Sequence, residues 1–337
     1  MNNYLNIQSK IWLFGSYAFQ GNPKALFLYM LKFFPERQCW WVADNEVQYG
    51  ILKNYNLPTV LNHSKECNAL FSQADVYVVE NNREKFPESM NRDIKILNLW
   101  HGVGIKPIEF GLDPESRLSD SIIRKHVRNT KIYKENMIFL ATSFAMKEHF
   151  KKQINIDEEN FITGAYPRNI VYHSGDISTF DKDYANGRLL SNYSKIYLFA
   201  PTWRDKEYGY DFLKLLPDLA KIADILRKED GLLIIKPHPL TVNDNSYQTV
   251  KELYRNDHNI LFVEDEFDIY EIFNKIDVAI IDYSSIYYDL MSAGVDKFIR
   301  YIPDYELHMQ KEPLVLDYLE YTDGPIAHNF QQLCELM

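Results

Sequence analysis

The chain has 337 residues, of which 25% are charged and 46% hydrophobic, and these proportions exclude a mainly disordered protein. The length allows two domains. The 37 Lys and Arg residues against 47 Asp and Glu leave a net charge of −10, whereas general nucleic-acid binders are more often basic, so we expect no nucleic-acid partner.

Cysteine content and hydropathy indicate the compartment. Cys39, Cys67 and Cys334 stand far apart and lack the spacing of a zinc site or a disulfide framework, which suits a reducing cytosol. No apolar run approaches the roughly 18 residues of a membrane span. The start of the chain shows no signal-peptide core. The sequence therefore predicts a cytoplasmic protein, which could still lie on a membrane surface.

The first half of the chain alternates short apolar runs with helix-like stretches. Pro23 and Ser64 are candidate helix start signals, and Ser143 precedes another such stretch. The pattern predicts strands at 10–14, 39–43, 75–80, 95–100 and 137–142, and helices at 23–34, 46–55, 64–73 and 144–154.

A polar stretch from about 173 to 194 is interpreted as the connection between two domains, residues 1–180 and residues 181–337. Continuous apolar strands that alternate with helices are typical of parallel sheets covered on both faces. The fold class is therefore α/β, with two Rossmann-like domains that face a central cleft. Beyond the connection the pattern predicts strands at 195–200, 232–236, 259–263, 277–281 and 297–301, and helices near 211–229, 268–275 and 285–293.

Ligands in open α/β sheets bind beyond the carboxyl ends of the strands, so the residues that follow each strand are candidates. In the first domain His101, Gly102 and then Lys106 follow the strand at 95–100. Glycine allows close backbone approach to a ligand, and a neutral imidazole can act as a general base. The alternative is a loop histidine that only caps a carbonyl.

In the second domain, three strand-end loops carry groups that suit anions. An arginine fork suits phosphate, prolines hold a loop in a fixed orientation, and a helix N-terminus with hydroxyl groups is a ready phosphate site. The plain alternatives are a surface ion pair, a stiff turn with solvated charges and a helix cap. The residues are Thr202, Trp203 and Arg204 in the first loop, Lys236 and His238 in the second, and Asp282, Tyr283, Ser284 and Ser285 in the third.

Some chemistries are disfavoured by what the sequence lacks. Neither a phosphate-binding P-loop nor a glycine-rich dinucleotide motif follows the first strand. No His, Cys or carboxylate set has metal-ligand spacing. We therefore expect no cofactor and no metal, and we expect cationic side chains to bear the charge of a bound phosphate.

The chain resembles the CDP-glycerol glycerophosphotransferase family, which includes teichoic acid polymerases and primases and related capsule polymerases. The resemblance implies a GT-B architecture and transfer of a glycerol phosphate or ribitol phosphate unit from CDP-glycerol or CDP-ribitol. The acceptor would be a growing anionic polymer or a lipid-linked primer, and CMP would leave. The motifs that carry it are LWHGVGIK (99–106), GAYPRN (164–169), APTWRD (200–205), IKPHP (235–239) and DYSSIYYD (282–289), together with 12–31 and 323–333.

The resemblance also implies roles for single residues. His101 is expected to be the general base on the acceptor hydroxyl, and His238 is expected to act on the donor phosphates. Arg204, Ser284 and Ser285 are expected to contact the pyrophosphate. Thr202 and Lys236 join these donor contacts, Gly102, Lys106, Arg168 and Asp282 are further candidates, and Trp203 and Tyr283 are expected to border the cytosine or ribose.

This sequence departs from the usual family pattern in several places. Val103 and Gly104 stand where a Thr-Pro pair is frequent, and we expect this change to affect the acceptor side. An Arg-Gly-Phe element is missing from residues 304–315. Relatives often carry further segments before and after this region, so we expect the chain to be either a minimal catalytic unit or a shortened form of a longer protein.

Residues 117–134 reverse the sign of the overall charge. This stretch is interpreted as a contact for a polyanionic acceptor or an anionic membrane surface, which places the protein peripherally on the inner face of the cell membrane. The alternative is a solvated helical face. Its basic residues are Arg117, Arg124, Lys125, Arg128, Lys131 and Lys134, against Asp120 alone.

Two other functions remain open at this point. The first is a nucleotide-sugar glycosyltransferase on the same scaffold, since a fold does not fix a function. The second is a non-catalytic binding module of a polymer-synthesis complex. The presence of both His101 and His238 argues against the module, because a decayed site would tolerate their loss.

Overall fold

The structure is a computed structural model that describes residues 11–82, 85–115, 118–174, 184–185, 188–204, 212–263 and 267–337. The chain divides into two compact units, residues 1–178 (the N-terminal unit) and residues 179–337 (the C-terminal unit). Each unit contains its own parallel sheet, so the expected α/β fold class is confirmed.

The sheet of the N-terminal unit has the order β3-β2-β1-β4-β5-β6-β7, with parallel pairing throughout. The strand order reverses between β1 and β4, and in sheets of this kind ligands bind beyond that point. The strands are β1 (Ile11–Phe14), β2 (Gln38–Ala43), β3 (Thr59–Leu61), β4 (Val76–Val79), β5 (Lys95–Asn98), β6 (Met137–Ala141) and β7 (Phe161–Thr163). The helices are α1 (Gly21–Phe33), α2 (Glu46–Asn54), α3 (Lys65–Gln73), α4 (Ser119–Arg128), α5 (Phe144–Gln153) and α6 (Pro167–Val171).

The C-terminal unit begins with a short antiparallel pair, β8 (Tyr184–Ala185) and β9 (Arg188–Leu189). Its parallel sheet has the order β12-β11-β10-β13-β14-β15. The strands are β10 (Lys195–Phe199), β11 (Gly231–Ile235), β12 (Ile260–Phe262), β13 (Val278–Ile281), β14 (Phe298–Tyr301) and β15 (Ile326–Ala327). The helices are α7 (Phe212–Leu215), α8 (Leu219–Lys228), α9 (Asn245–Tyr254), α10 (Ile286–Ser292), α11 (Tyr305–Lys311), α12 (Tyr318–Tyr321) and α13 (Phe330–Leu336).

Local chemistry explains where several helices begin. Ser64 accepts the backbone N–H of Cys67 at 3.0 Å, and Ser143 accepts that of Met146 at 3.2 Å. Each such cap stabilises its helix by about 1 kcal/mol. The start signal at Ser64 is therefore confirmed. Helix α1 instead begins at Gly21, before the proline that was expected to start it.

Some elements differ from the sequence-based prediction. The helix expected near 211–229 is two helices, α7 and α8, because Pro217 lies between them and Asp218 caps the second. The segment 269–275 is a 3₁₀ helix. The expected connection at 173–194 contains the β8–β9 pair, and its residues 175–183 and 186–187 lie outside the described residues.

Large aromatic residues lie in the cores of both units. Trp41 and Tyr77 are fully buried in the N-terminal unit, and Tyr197 and Tyr247 are fully buried in the C-terminal unit. Across the described part of the chain, no helix has both the length and the apolar content needed to cross a bilayer.

Candidate active site

The adjacent strands β1, β4 and β5 bring Ser16, Glu80 and His101 to one edge of the N-terminal sheet. The Ser16 hydroxyl donates to the Glu80 carboxylate, and Nδ1 of the exposed His101 lies 2.8 Å from the backbone carbonyl oxygen of Glu80. A carbonyl oxygen only accepts, so Nδ1 carries a proton and the neutral ring has its lone pair on Nε2. Nε2 is therefore the nitrogen of His101 that can take a proton from a substrate.

Three successive backbone carbonyl oxygens, those of residues 100–102, accept hydrogen bonds from side chains. The donors are, in order, Asn22 at 2.8 Å, Arg168 through Nη2 at 3.0 Å and Tyr166 at 2.6 Å. Arg168 is only 1% exposed, so its guanidinium is part of the interior. The GAYPRN motif thus fixes the backbone of the histidine loop, and this geometry gives Arg168 a positioning role.

The histidine loop also contains a strained residue. Trp100 has φ +53°, a left-handed conformation that costs a non-glycine residue roughly 1–2 kcal/mol. Its buried indole packs against Phe139 and Phe150, and it stacks on the His101 ring with centroids 4.5 Å apart. The indole therefore supports one face of the imidazole.

Gly21 makes the close approach between α1 and this site possible. Its φ is +70°, which favours glycine. A Cβ at this position would lie 2.7 Å from Oε2 of Glu80 and 3.8 Å from Nη1 of Arg168. A side chain would displace the carboxylate of Glu80 and would only touch Arg168.

The carboxyl ends of β10, β13 and β14 are joined by a buried ionic network in the C-terminal unit. Nη1 of Arg204 lies 2.7 Å from Asp282, while its Nε and Nη2 donate to the two oxygens of Asp304 at 2.6 and 3.1 Å. Asp282 also accepts the backbone N–H of Thr202 at 3.0 Å and its hydroxyl at 3.1 Å. The hydroxyl of Tyr283 donates to Asp304 at 3.1 Å.

The network favours the charged forms of Asp304 and Arg204. Burial raises the pKa of Asp304, but the hydrogen bonds and positive charge of Arg204 outweigh it, so this pKa lies below its ordinary value. Burial lowers the pKa of Arg204, and the two carboxylates more than reverse that effect. Within the described residues Arg204 donates four hydrogen bonds, one of them to the Thr202 carbonyl, and a guanidinium has five N–H donors. A phosphate contact by Arg204 stays a prediction, and the geometry favours a positioning role.

The expectation that Tyr283 borders the cytosine or ribose needs correction. The side chain is fully buried, and its ring stacks on His308 with centroids 3.8 Å apart. It therefore presents no ring face to a ligand. Trp203 is half-buried, and its contact with the base or ribose stays a prediction.

His238 has the opposite arrangement from His101. Its exposed ring accepts the backbone N–H of Leu240 through Nδ1 at 3.2 Å, and Pro239 continues into a short 3₁₀ helix. An amide N–H only donates, so the neutral ring carries its proton on Nε2. The proline-stiffened loop thus fixes the tautomer of His238, and Lys236 lies half-buried beside β11.

The two serines at the start of α10 are half-buried. In the described part of the chain, Ser285 occupies the N-cap position without making a side-chain capping bond, while Ser284 Oγ accepts the N–H of Ile286 at a long 3.4 Å. The alternative of a serine that only caps its helix therefore does not describe Ser285. The predicted phosphate contacts of both serines remain predictions.

The basic side chains of the stretch 117–134 do not all face solvent. Arg124 and Arg128 are exposed on α4, and Lys131 lies 3.8 Å from Glu135. Lys125 points inward, where it donates to Glu109 at 2.5 Å. The expected acceptor or membrane contact by Lys125 therefore needs correction.

The remaining candidate residues from the sequence are Gly102, Lys106 and Arg117. Gly102 is buried and supplies a backbone carbonyl to the loop described above, and Lys106 is half-buried. Arg117 lies outside the described residues. Sequence reasoning did not single out the residues that hold the loops in place, which are Ser16, Asn22, Glu80, Tyr166 and Asp304. Of these, Ser16, Asn22 and Tyr166 lie within the motifs quoted above, and Glu80 and Asp304 do not.

The fold has close counterparts among solved structures. A structure of the wall teichoic acid polymerase TagF has a TM-score of 0.70 at 19% identity and covers 97% of this chain and 78% of that chain. A variant of the same polymerase gives 0.72 at 21% identity. The protein thus shares the architecture of that two-sheet α/β polymerase.

The sequence assigns the family. The profile of CDP-Glycerol:Poly(glycerophosphate) glycerophosphotransferase matches residues 1–337, so the chain belongs to this family and the resemblance is confirmed. The teichoic acid poly(glycerol phosphate) polymerase of Staphylococcus epidermidis is 25% identical over 343 residues, which are 95% of this chain and 44% of the relative. Its Bacillus spizizenii counterpart is 25% identical, over 97% of this chain and 82% of the relative. The poly(ribitol-phosphate) polymerase of B. spizizenii is 25% identical, over 75% of this chain and 39% of the relative. The chain thus spans less than half of some relatives and most of others.

Proposed function

We propose that the protein transfers a glycerol phosphate or ribitol phosphate unit from CDP-glycerol or CDP-ribitol to a hydroxyl of an anionic polymer or lipid-linked primer, with release of CMP. Family membership supports a glycerophosphotransferase, and polymerases of both alditol phosphates are among the relatives. The observation that carries the proposal is the contact of His101 Nδ1 with the Glu80 carbonyl oxygen, which places the lone pair of the neutral ring on Nε2.

In the proposed reaction the acceptor hydroxyl attacks the β-phosphorus of the donor. The oxygen–phosphorus bond forms as His101 Nε2 takes the hydroxyl proton, and the bond from that phosphorus to the bridging oxygen breaks. CMP leaves with the electron pair. Transfers of this type depend mainly on positioning and on stabilising phosphate charge. We assign that stabilisation to His238 through Nε2–H, to the hydroxyls of Ser284 and Ser285 and to Lys236.

We also propose that the transfer needs no protein-held metal ion. In the described residues, no three His, Cys, Asp or Glu side chains are grouped as metal ligands would be. The charge of the phosphates would then be balanced by protein cations and N–H groups.

Removal of His101 tests the assignment of the base. A general base contributes about 10²–10⁴-fold to rate, so His101→Ala is expected to lower kcat by about that factor with little change in CDP-glycerol affinity. His328→Ala is the matched control, because His328 is an exposed histidine of the C-terminal unit. The assay is CMP release from CDP-glycerol and CDP-ribitol, with product mass measured.

Two results would contradict the proposal in different ways. Near-normal turnover by His101→Ala would remove His101 as the base. UDP release from UDP-sugars, without CMP release from either CDP-alditol, would show a glycosyltransferase instead.

We further propose that the exposed face of α4 contacts the polyanionic acceptor or the inner face of the cell membrane. Arg124 and Arg128 lie one turn apart, and the neighbouring Ile123 and Val127 are 52% and 71% exposed. A face of exposed apolar and cationic side chains suits a surface that is both anionic and apolar.

Charge reversal tests this face. Arg124→Glu and Arg128→Glu are each expected to shorten the polymer product or reduce binding to anionic vesicles, because each replaces an attraction by a repulsion. Lys228→Glu, an exposed reversal on α8, is the control. Wild-type polymer length and vesicle binding in both variants of α4 would refute the assignment.

A further inference from the structure

One buried carboxylate, that of Asp304, links three strand-end loops of the C-terminal unit. Asp304 follows β14, Arg204 follows β10 and Asp282 follows β13. The side chains are 4%, 5% and 2% exposed, respectively. Two of these loops carry proposed donor contacts, so their relative position matters for donor binding.

Asp304 sets the orientation of the guanidinium. It accepts from both Nε and Nη2 of Arg204, a two-point contact that fixes the guanidinium plane, whereas the contact with Asp282 runs through Nη1 alone. Once the plane is fixed, Nη1 is directed at Asp282 and at the carbonyl of Thr202. The position of the loop after β10 thus depends on Asp304.

The same carboxylate reaches the loop after β13. Oδ1 of Asp304 accepts the hydroxyl of Tyr283, the residue that directly precedes Ser284 and Ser285. A buried ion pair is costly unless its hydrogen bonds are complete, so loss of one of these contacts is expected to weaken the others. Asp304 is thus the common partner of both loops.

We propose that Asp304 is a positioning residue for donor binding. It acts through Arg204 and Tyr283, which position Thr202 and the two serines that precede α10, Ser284 and Ser285, and not by contact with the donor. This inference rests on the proposed function, since it takes those loops to bind the phosphates of a CDP-alditol.

Three single substitutions test the proposal. Asp304→Asn keeps the shape of the side chain and removes its charge, and Tyr283→Phe removes one hydrogen bond to Asp304. Tyr301→Phe is the matched control: it removes a buried hydroxyl that donates to the Leu215 carbonyl at 2.7 Å and takes no part in the network.

The expected readout is the KM for CDP-glycerol at a temperature where each variant is folded. It should rise about tenfold or more in Asp304→Asn and about two- to fivefold in Tyr283→Phe, with a smaller change in kcat, and stay at the wild-type value in Tyr301→Phe. A wild-type KM in Asp304→Asn, with only its thermal stability lowered, would overturn the proposal. If Asp304→Asn does not fold, Tyr283→Phe decides: a raised KM supports the proposal, and a wild-type KM overturns it.

Amide hydrogen exchange separates this inference from the proposed function. The Thr202 amide, which is bonded to Asp282, should exchange faster in Asp304→Asn or Tyr283→Phe than in Tyr301→Phe, with no donor present. Exchange at the wild-type rate in both network variants would overturn the positioning role. Failure of the wild-type protein to release CMP from any CDP-alditol would refute the proposed function, whatever the exchange shows.

Discussion

Gly21→Ala is expected to destabilise the N-terminal unit and its histidine loop together. The backbone at Gly21 has φ +70°, where an L-residue costs roughly 1–2 kcal/mol. The new Cβ would also lie 2.7 Å from Oε2 of Glu80, a buried carboxylate held by Ser16, and overpacking of this kind costs about 1–3 kcal/mol. The two effects together predict a loss of roughly 2–5 kcal/mol in the free energy of unfolding.

Gly50→Ala is the matched control with the opposite expected sign. Gly50 lies within α2, and a Cβ there would meet nothing within 4 Å, so alanine should stabilise by about 0.5–1 kcal/mol. Urea unfolding followed by tryptophan fluorescence suits both variants, because the tryptophans at 12, 40, 41 and 100 all lie in this unit. A Gly21→Ala protein that unfolds at the wild-type urea midpoint would refute the reasoning.

Two further predictions follow from buried ionisable groups. Burial raises the pKa of Cys39 to about 12 and that of Cys67 to about 11. Both thiols should therefore resist iodoacetamide in the native protein at neutral pH and react with it in urea. Fast labelling of either thiol in the native protein, measured by mass spectrometry, would contradict this prediction. Burial raises the pKa of Glu109, but hydrogen bonds and charge from His126 and Lys125 outweigh that effect. The pKa of Glu109 therefore lies below its ordinary value. Its contribution to stability is therefore complete above the unfolded-state pKa of about 4 and is lost as the pH falls through the folded-state pKa, so the Tm difference between wild type and Glu109→Gln should shrink in acid. A Tm difference between the two proteins that stays constant as the pH falls below the folded-state pKa of Glu109 would contradict this prediction.

The sequence predicts the fold class and several reactive side chains because the signal for each lies within a short stretch of neighbouring residues. Apolar runs mark strands, and a histidine or serine directly after such a run lies at the carboxyl edge of the sheet by geometry alone. Strands β3, β7 and β15 were missed because they are only three, three and two residues long. A run that short has no period to detect, and the equally short β12 was predicted because it lies in the longer run 259–263.

The supporting residues could not be found in this way. Arg204 and Asp304 are 100 residues apart, and they meet only because β10, β13 and β14 are successive neighbours in the sheet. One acidic residue in a loop carries no local sign of its partner. Lys125 lies within a basic run that suggests solvent exposure, but it forms an ion pair with Glu109, 16 residues earlier in the chain, and points inward.

The opposite tautomers of the two histidines assign different chemistry to them. Nδ1 of His101 donates to the Glu80 carbonyl, so Nε2 can gain a proton without loss of that hydrogen bond. Nδ1 of His238 accepts the Leu240 amide, and protonation there would break the bond. His101 can thus take a proton at Nε2 and keep its hydrogen bond to Glu80, whereas His238 with its Leu240 bond intact presents Nε2–H as a donor. In the proposed reaction the leaving group is the phosphate of CMP, and the Nε2–H donor of His238 would stabilise its charge by a hydrogen bond.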